Sequence, residues 1–301
     1  MRRQPVIIDT DCGIGLPGSV IDDGLAIALA LTAPEIEVLG ITAVNGNADV
    51  HSVYRSVSEL LRRLGRTDVP VLHGAVRPLR QKMEDVWRTF GMPFPERSSV
   101  TNVGDAPTDK QAAAWMVEAA AARPGDVTIA AIGPLTNVAY AIKLDSDFAS
   151  NVKEIVVMAG NATGHVENIT VVEDFNVFVD PDAMAIVLDS CVPVRMIGID
   201  QTSRVRMNLA DAELLRDTPS PASGDEVRAW LADCVASWID IERLGSDRDA
   251  RFCLLHDPLV IAAVAHPEIC TYETRGHNLI AAVDTDVAAF RSLFFRRLAT
   301  L

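Results

Sequence analysis

The sequence predicts an α/β protein built on a doubly wound, mostly parallel sheet flanked by helices, a Rossmann-like core. Short apolar, β-branched runs alternate with longer stretches of helical period, the pattern of repeated βαβ units. Several of those runs end in Asp, Asn and Gly, which places polar residues at one edge of the sheet. No internal repeat, low-complexity tract or Pro/Ser linker divides the 301 residues, so a single domain over 1–301 is expected.

Strands are expected near Val6 to Asp9, Glu37 to Val44, Val69 to Leu72, Val127 to Ile132, Glu154 to Met158 and Val194 to Ile199. Between them, helices are expected over Asp23 to Thr32, stopped by Ala33-Pro34, and over Val50 to Leu64, ending at Gly65. Further helices are expected over Asp109 to Ala122, ending before Pro124, and over Asp180 to Leu188, entered through Asp-Pro. A long helix should run from Asp225 to Leu244, and another to about Ala265 with Pro258 in its first turn. Two segments, Gly74 to Thr108 and Gly160 to Val177, match neither period; loops of that length are more often lids or binding loops than connectors.

Composition narrows the function. With 49% apolar and 23% charged residues the chain can bury a sizeable core. A net charge of −14 argues against nucleic-acid binding and against an anionic membrane surface. The apolar run after Arg2-Arg3 is too short for a signal peptide, and no run approaches a bilayer span. Five scattered cysteines (Cys12, Cys191, Cys234, Cys253, Cys270) make neither a complete disulfide set nor a zinc spacing. Together these point to a cytoplasmic protein.

In a parallel sheet, ligands bind at the carboxyl ends of the strands. There the sequence offers Asp9-Thr10-Asp11, Asn45-Gly46-Asn47, Gly133-Pro134-Leu135-Thr136-Asn137 and Ala159-Gly160-Asn161. Asp9 and Asp11 are followed by Asp22-Asp23 at a helix start. Four carboxylates so close would repel one another unless a cation or shared protons compensated, and oxygen-only ligands suit a hard ion such as Ca²⁺ or Mg²⁺. Helix capping alone accounts for Asp22 and Asp23 but leaves Asp9 and Asp11 unexplained. Gly13-Ile14-Gly15-Leu16-Pro17-Gly18 matches the dinucleotide fingerprint, yet the flanking aspartates would repel pyrophosphate. His256-Asp257-Pro258 opens a helix, and the polar stretch Asn161 to Asn176 suits a polyhydroxylated ligand.

In this order the motifs resemble the calcium-dependent nucleoside hydrolases of the inosine/uridine-preferring group, over Val6 to about Val264. The resemblance rests on Asp9-Thr10-Asp11-x-Gly13 with Asp22-Asp23, Gly46-Asn47, Ile132 to Asn137, Val156 to Gly160, Phe175-Asn176-x-Phe178-x-Asp180-Pro181, and His256-Asp257-Pro258. It implies a nucleoside hydrolase fold and Ca²⁺-dependent cleavage of a purine or pyrimidine ribonucleoside to ribose and base, as in nucleoside salvage, by a homo-oligomer (dimer or tetramer). By the same resemblance, Asp11, Asp23, Asp257 and the Ile132 carbonyl hold Ca²⁺, Asp11 is the general base, and His256 assists the leaving base. Asp22, Asn47, Met158, Asn168, Asp174 and Asn176 would hold the ribose, and Asp9 would support the ligands from behind.

Three departures from the family pattern stand out. Cys12 replaces the usual proline, and seven extra residues, Gly15 to Ile21, must loop out if Asp22 and Asp23 are to reach the metal. Asp174 stands where the family usually has Glu. The His-Gly-x-x-Gly flap stretch is missing between Arg80 and Pro95. Two other readings stay open: a non-catalytic Ca²⁺ or sugar-binding homologue, and a nucleotide-dependent oxidoreductase using Gly13 to Gly18.

Overall fold

A computed structural model describes residues 2–16, 19–89, 111–164, 174–218, 225–244 and 251–301. Ten strands are present among them: β1 (Gln4–Thr10), β2 (Ile36–Ala43), β3 (Val71–Leu72), β4 (Val127–Ala131), β5 (Val152–Met158), β6 (Val194–Ile197), β7 (Arg206–Asn208), β8 (Phe252–Leu254), β9 (Cys270–Thr274) and β10 (Leu279–Thr285). Eight form one sheet in the order β3-β2-β1-β4-β5-β6-β10-β9, and β7 pairs with β8 in a small antiparallel ribbon. The large sheet is parallel except for β9, which joins β10 antiparallel at the edge.

The strands are apolar on both faces because both faces are covered. Val6 and Ile8 pack into one core and Ile7 into the other; Val156 and Met158 divide from Ile155 and Val157 in the same way. On the first face lie the helices Asp22–Thr32, Val50–Arg63, Asp225–Leu244, His256–Ala265 and Val287–Leu298. The second face is covered by Gln111–Ala122, Thr136–Leu144 and Pro181–Asp189. This is the doubly wound α/β arrangement that the alternating pattern predicts.

The expected strands all form, with shifted ends. The edge strand β3 begins at Val71 rather than Val69, since Pro70 has no N–H for the ladder; its carbonyl still accepts from Ile41 N at 2.9 Å. Strand β6 stops at Ile197, because Gly198 turns the chain into the helix Ile199–Thr202. The unassigned segment after Gly74 holds the helix Met83–Thr89, and residues 90–110 lie outside the described set. Beyond Ala265 the structure adds β9, β10 and the helix Val287–Leu298, none of which the sequence reading placed.

Strand order sets the position of the site. From β1 the chain builds outward through β2 and β3, then returns to β4 on the other side and continues through β5 and β6. The crevice at the carboxyl ends of β1 and β4 is therefore the switch point of the sheet. Asn137 closes its floor. Its amide donates to Asp9 Oδ1 (2.8 Å) and to the Ala43 carbonyl (3.0 Å), and its oxygen accepts from Ala75 N (2.8 Å). Truncating this fully buried side chain strands both backbone groups. Asn137→Ala is therefore expected to lose about 2–4 kcal/mol of stability, read as a lowered thermal midpoint; a midpoint equal to the parent's would contradict the role.

Candidate active site and metal centre

Two apolar helices, Asp22–Thr32 and His256–Ala265, pack side by side and begin at the same point beside β1. Neither has a side-chain cap from its own N-cap residue, Ile21 or Leu255. Asp22 of the first helix instead accepts from Asp257 N of the second at 3.2 Å. Their positive ends converge on the carboxylates, a placement that favours anionic side chains. Asp22, Asp23 and Asp257 are buried and offer carboxylate oxygens within 4.8 Å of one another, a group that could hold a metal ion.

Asp11 stands beside this trio: the charge of Asp23 acts on it, and its own charge acts on Asp257. Its Oδ2 accepts from Asn47 N at 2.7 Å, while Oδ1 is buried without a hydrogen-bond partner among the described residues. An unpaired carboxylate oxygen at this depth is costly unless a cation or proton reaches it. Two glycines make the room. A Cβ at Gly46 would lie 2.0 Å from Asp11 Oδ2, and one at Gly133 would lie 3.0 Å from Oδ1. The donor set is all oxygen and anionic, as a hard divalent cation requires. The trio that converges most closely contains Asp22 where the resemblance implied Asp11.

Behind the group, Thr10 Oγ1 donates to Asp23 Oδ1 at 2.5 Å, and Asn47 Nδ2 reaches Asp23 Oδ2 at 3.4 Å. Asp9 lies deeper, held by Thr42 Oγ1 (2.6 Å) and Asn137. On the β4–β5 side, the Asn176 amide donates to the carbonyls of Ile132 (3.2 Å) and Met158 (3.1 Å). Asp174 caps the helix Phe175–Val179 through Val177 N at 3.1 Å. It borders a cleft of about 430 Å³ shared with Gly160, Val177 and Phe178, whose walls do not include the other carboxylates. His256 is half-buried with Nδ1 against Thr202 Oγ1. Asn168 lies outside the described residues.

The described ends of the extra segment fold back on themselves, Leu16 N bonding the Gly13 carbonyl at 2.9 Å and Ser19 N the Leu16 carbonyl at 3.3 Å. Ile14 packs over Gly24, the Ser56 hydroxyl donates to the Ile14 carbonyl, and Gly15, at φ +81°, passes Trp230 on the helix Asp225–Leu244. Asp22 and Asp23 therefore reach the site despite the insertion. In the altered flap, Trp87 packs with Met83, Val86 and Val179, and its Nε1 donates to the Gly46 carbonyl at 2.9 Å. Sequence reading missed Thr10, Thr42, Asn137, Trp87 and Thr202 as supports. Only Thr10 and Asn137 fell within quoted motifs, and nothing local marks a threonine that bonds across the fold.

Burial dominates the electrostatics. It raises Asp9, Asp23 and Asp174 from 3.8 to about 7, with the charge of Asp22 adding to the effect at Asp23. Asp11 and Asp257 are pushed well above the usual range by burial and then by neighbouring carboxylates. Burial lowers His256, against the pull of Asp22. A carboxyl whose folded pKa is raised binds more protons folded than unfolded between the two values. Its stabilising contribution is full below pH 3.8 and lost as pH rises through about 7. In chelator, the thermal midpoint should accordingly fall between pH 5 and pH 8, and a divalent cation should restore more at pH 8 than at pH 5. A chelated midpoint that is flat or rises over that range would contradict this charge arrangement.

Known proteins share this fold and sequence. Residues 6–291 match the inosine-uridine preferring nucleoside hydrolase family. Probable uridine nucleosidase 2 of Oryza sativa subsp. japonica is 33% identical over 278 residues, covering 90% of this chain and 77% of that protein. The pyrimidine-specific ribonucleoside hydrolase RihA of Citrobacter koseri is 34% identical over 267 residues, covering 89% and 81%. Among solved structures, a plant nucleoside hydrolase, PpNRh1, superposes with a TM-score of 0.78 at 26% identity over all of both chains. A purine-preferring ribonucleoside hydrolase from Gardnerella vaginalis gives 0.79 at 23% identity over 98% of each, a likeness of fold. With a family match over nearly its whole length and relatives above 30% identity, the chain belongs to the inosine-uridine preferring nucleoside hydrolases.

Proposed function

We propose that the protein hydrolyses the N-glycosidic bond of a ribonucleoside to ribose and free base, with Ca²⁺ as its cofactor. The observation that carries this reading is the set of buried carboxylates at the sheet's switch point, where Asp11 keeps one oxygen without a hydrogen-bond partner among the described residues. Asp11, Asp23, Asp257 and the Ile132 carbonyl would hold the ion. Once bound, Ca²⁺ supplies positive charge that offsets the carboxylates, favours deprotonation of the attacking water and engages sugar hydroxyls.

The chain's own groups do the rest. Asp11 Oδ1 accepts the water proton, while the Asn47 amide on Oδ2 keeps the carboxylate oriented. Asp22, Asn47, Met158, Asn168, Asp174 and Asn176 bind the ribose, and the surrounding carboxylates stabilise the oxocarbenium-like charge that develops at the anomeric carbon. Asp9, braced by Thr42 and Asn137, supports the floor beneath Asp11. His256 donates a hydrogen bond to the departing base. We further take the chain to be one catalytic domain over 1–301, acting on a small-molecule nucleoside in the cytoplasm as a homo-oligomer (dimer or tetramer). No disulfide joins its described cysteines, which fits a reducing compartment. No described helix is long and apolar enough to cross a membrane.

Release of reducing sugar from a panel of purine and pyrimidine ribonucleosides, with and without chelator, tests the reading. Uridine comes first because relatives are named for it. Chelator-sensitive ribose release from a panel member is expected; silence across the panel despite cation-dependent thermal stabilisation would point instead to a non-catalytic homologue. Asp11→Asn should lower kcat by roughly 10²-fold or more and weaken Ca²⁺ binding together, and near-normal turnover would remove Asp11 from both roles. His256→Ala should slow natural nucleosides far more than an activated p-nitrophenyl riboside. Equal losses on both substrates would make His256 structural.

A further inference from the structure

The four-residue helix Ile199–Thr202 lies directly behind the site. Thr202 is fully buried, and its hydroxyl oxygen lies 2.7 Å from His256 Nδ1, the only hydrogen-bond partner of that side chain among the described residues. A threonine hydroxyl carries one proton and two lone pairs, and a neutral imidazole carries one N–H and one acceptor nitrogen. If Nδ1 bore the ring proton, the Thr202 proton would be buried with no acceptor. Both groups are satisfied when Thr202 donates, Nδ1 accepts and Nε2 carries the proton.

The same helix is fastened to the end of β5. The Asp200 carboxylate accepts from Ala162 N (3.2 Å), Thr163 N (3.2 Å) and Thr163 Oγ1 (2.8 Å), and Ile199 N donates to the Gly160 carbonyl at 2.7 Å. The fit is tight enough that a Cβ at Gly198 would lie 2.5 Å from Asp200 Oδ1 and 2.7 Å from the Gly160 oxygen. Backbone bonds from Gln201 N and Thr202 N to the Gly198 carbonyl, each 3.0 Å, complete the turn. Thr202 thus stands on a support that cannot shift without disturbing the strand end beside Asn161, from which the polar loop departs.

We propose that Thr202 is the positioning residue for His256, fixing the imidazole as the Nε2–H tautomer and presenting that donor to the site, while Asp200 holds its helix against the end of β5. The tautomer follows from the contacts alone. Only the identity of what Nε2–H meets, the departing base, rests on the reading of the protein as a ribonucleoside hydrolase. Thr202 touches His256 rather than substrate, so it acts through the ring.

Two readouts test this separately. In protein labelled with ¹⁵N-histidine, long-range ¹H–¹⁵N correlations report the tautomer of each ring, and His256 is assigned by its absence from His256→Gln. The parent and Thr202→Ser should show the Nε2–H pattern for His256, and Thr202→Val a mixture. A parent spectrum with the proton on Nδ1 would overturn the proposal, and it decides the matter even if Thr202→Val fails to fold. In kinetics, Thr202→Val should lower kcat on a natural nucleoside roughly 10- to 100-fold, as removing a hydrogen bond that orients an active-site histidine does, with KM nearly unchanged. A p-nitrophenyl riboside should be spared, and Thr202→Ser should restore the rate. Thr202→Val with the parent's tautomer and kcat would overturn the positioning role. A protein that hydrolyses no nucleoside would defeat the functional reading, while the spectrum would still decide the tautomer.

Discussion

Five aspartates, Asp9, Asp11, Asp22, Asp23 and Asp257, are buried together where the sheet changes direction. Taking carboxylates out of water is expensive, and crowding them raises the cost further. Hydrogen bonds repay part of it: Thr10 on Asp23, Thr42 and Asn137 on Asp9, the Asn47 amide on Asp11, and the Asp257 amide on Asp22. They do not neutralise the charge, and one oxygen of Asp11 and one of Asp9 have no partner among the described residues. Protons or a cation must supply the remainder. A folded protein tolerates such a site for what the site does, and structural networks of this kind are otherwise satisfied.

The scaffold around the carboxylates serves this one demand. Two helices that are apolar on nearly every side carry acids only in their first turns, so the same packing that buries Leu25, Ile27, Leu259 and Ile261 also delivers Asp22, Asp23 and Asp257 to one point. Gly46 and Gly133 leave space around Asp11 that a methyl group would fill. Beside the insertion, Ile14 is held by Ser56 of the helix Val50–Arg63 and Gly15 passes Trp230 of the helix Asp225–Leu244, while Asp22 and Asp23 still reach the floor. The chain can thus vary at the rim while the floor keeps its geometry.

Much of this was legible in the sequence because it is written locally. The strand–helix alternation fixed the fold class, and the polar residues that end β1, β2, β4 and β5 marked the edge that carries the site. Asp9, Asp11, Asp22, Asp23 and His256-Asp257 announce themselves by crowding carboxylates where apolar runs stop. What the sequence did not reveal depends on contacts far apart in the chain. Thr202 meets His256 across 54 positions, and Thr42 meets Asp9 across 33. A threonine next to an apolar run looks like any β-branched residue until the fold supplies its partner. The pair β9–β10 escaped notice although Leu279–Thr285 carries the β-branched Ile280, Val283 and Thr285; β10 gains its place in the sheet by pairing with β6, far away in the chain.

The most direct measurement of the account is calorimetric titration of chelator-treated protein with Ca²⁺ at pH 7, repeated in two buffers of different ionisation enthalpy. Because burial raises Asp9 and Asp23 to about 7 and pushes Asp11 and Asp257 well above the usual carboxylate range, uptake of a cation with net release of protons to the buffer is expected. Absence of binding, or binding with no proton exchange, would contradict the claim that these buried carboxylates form a cation site.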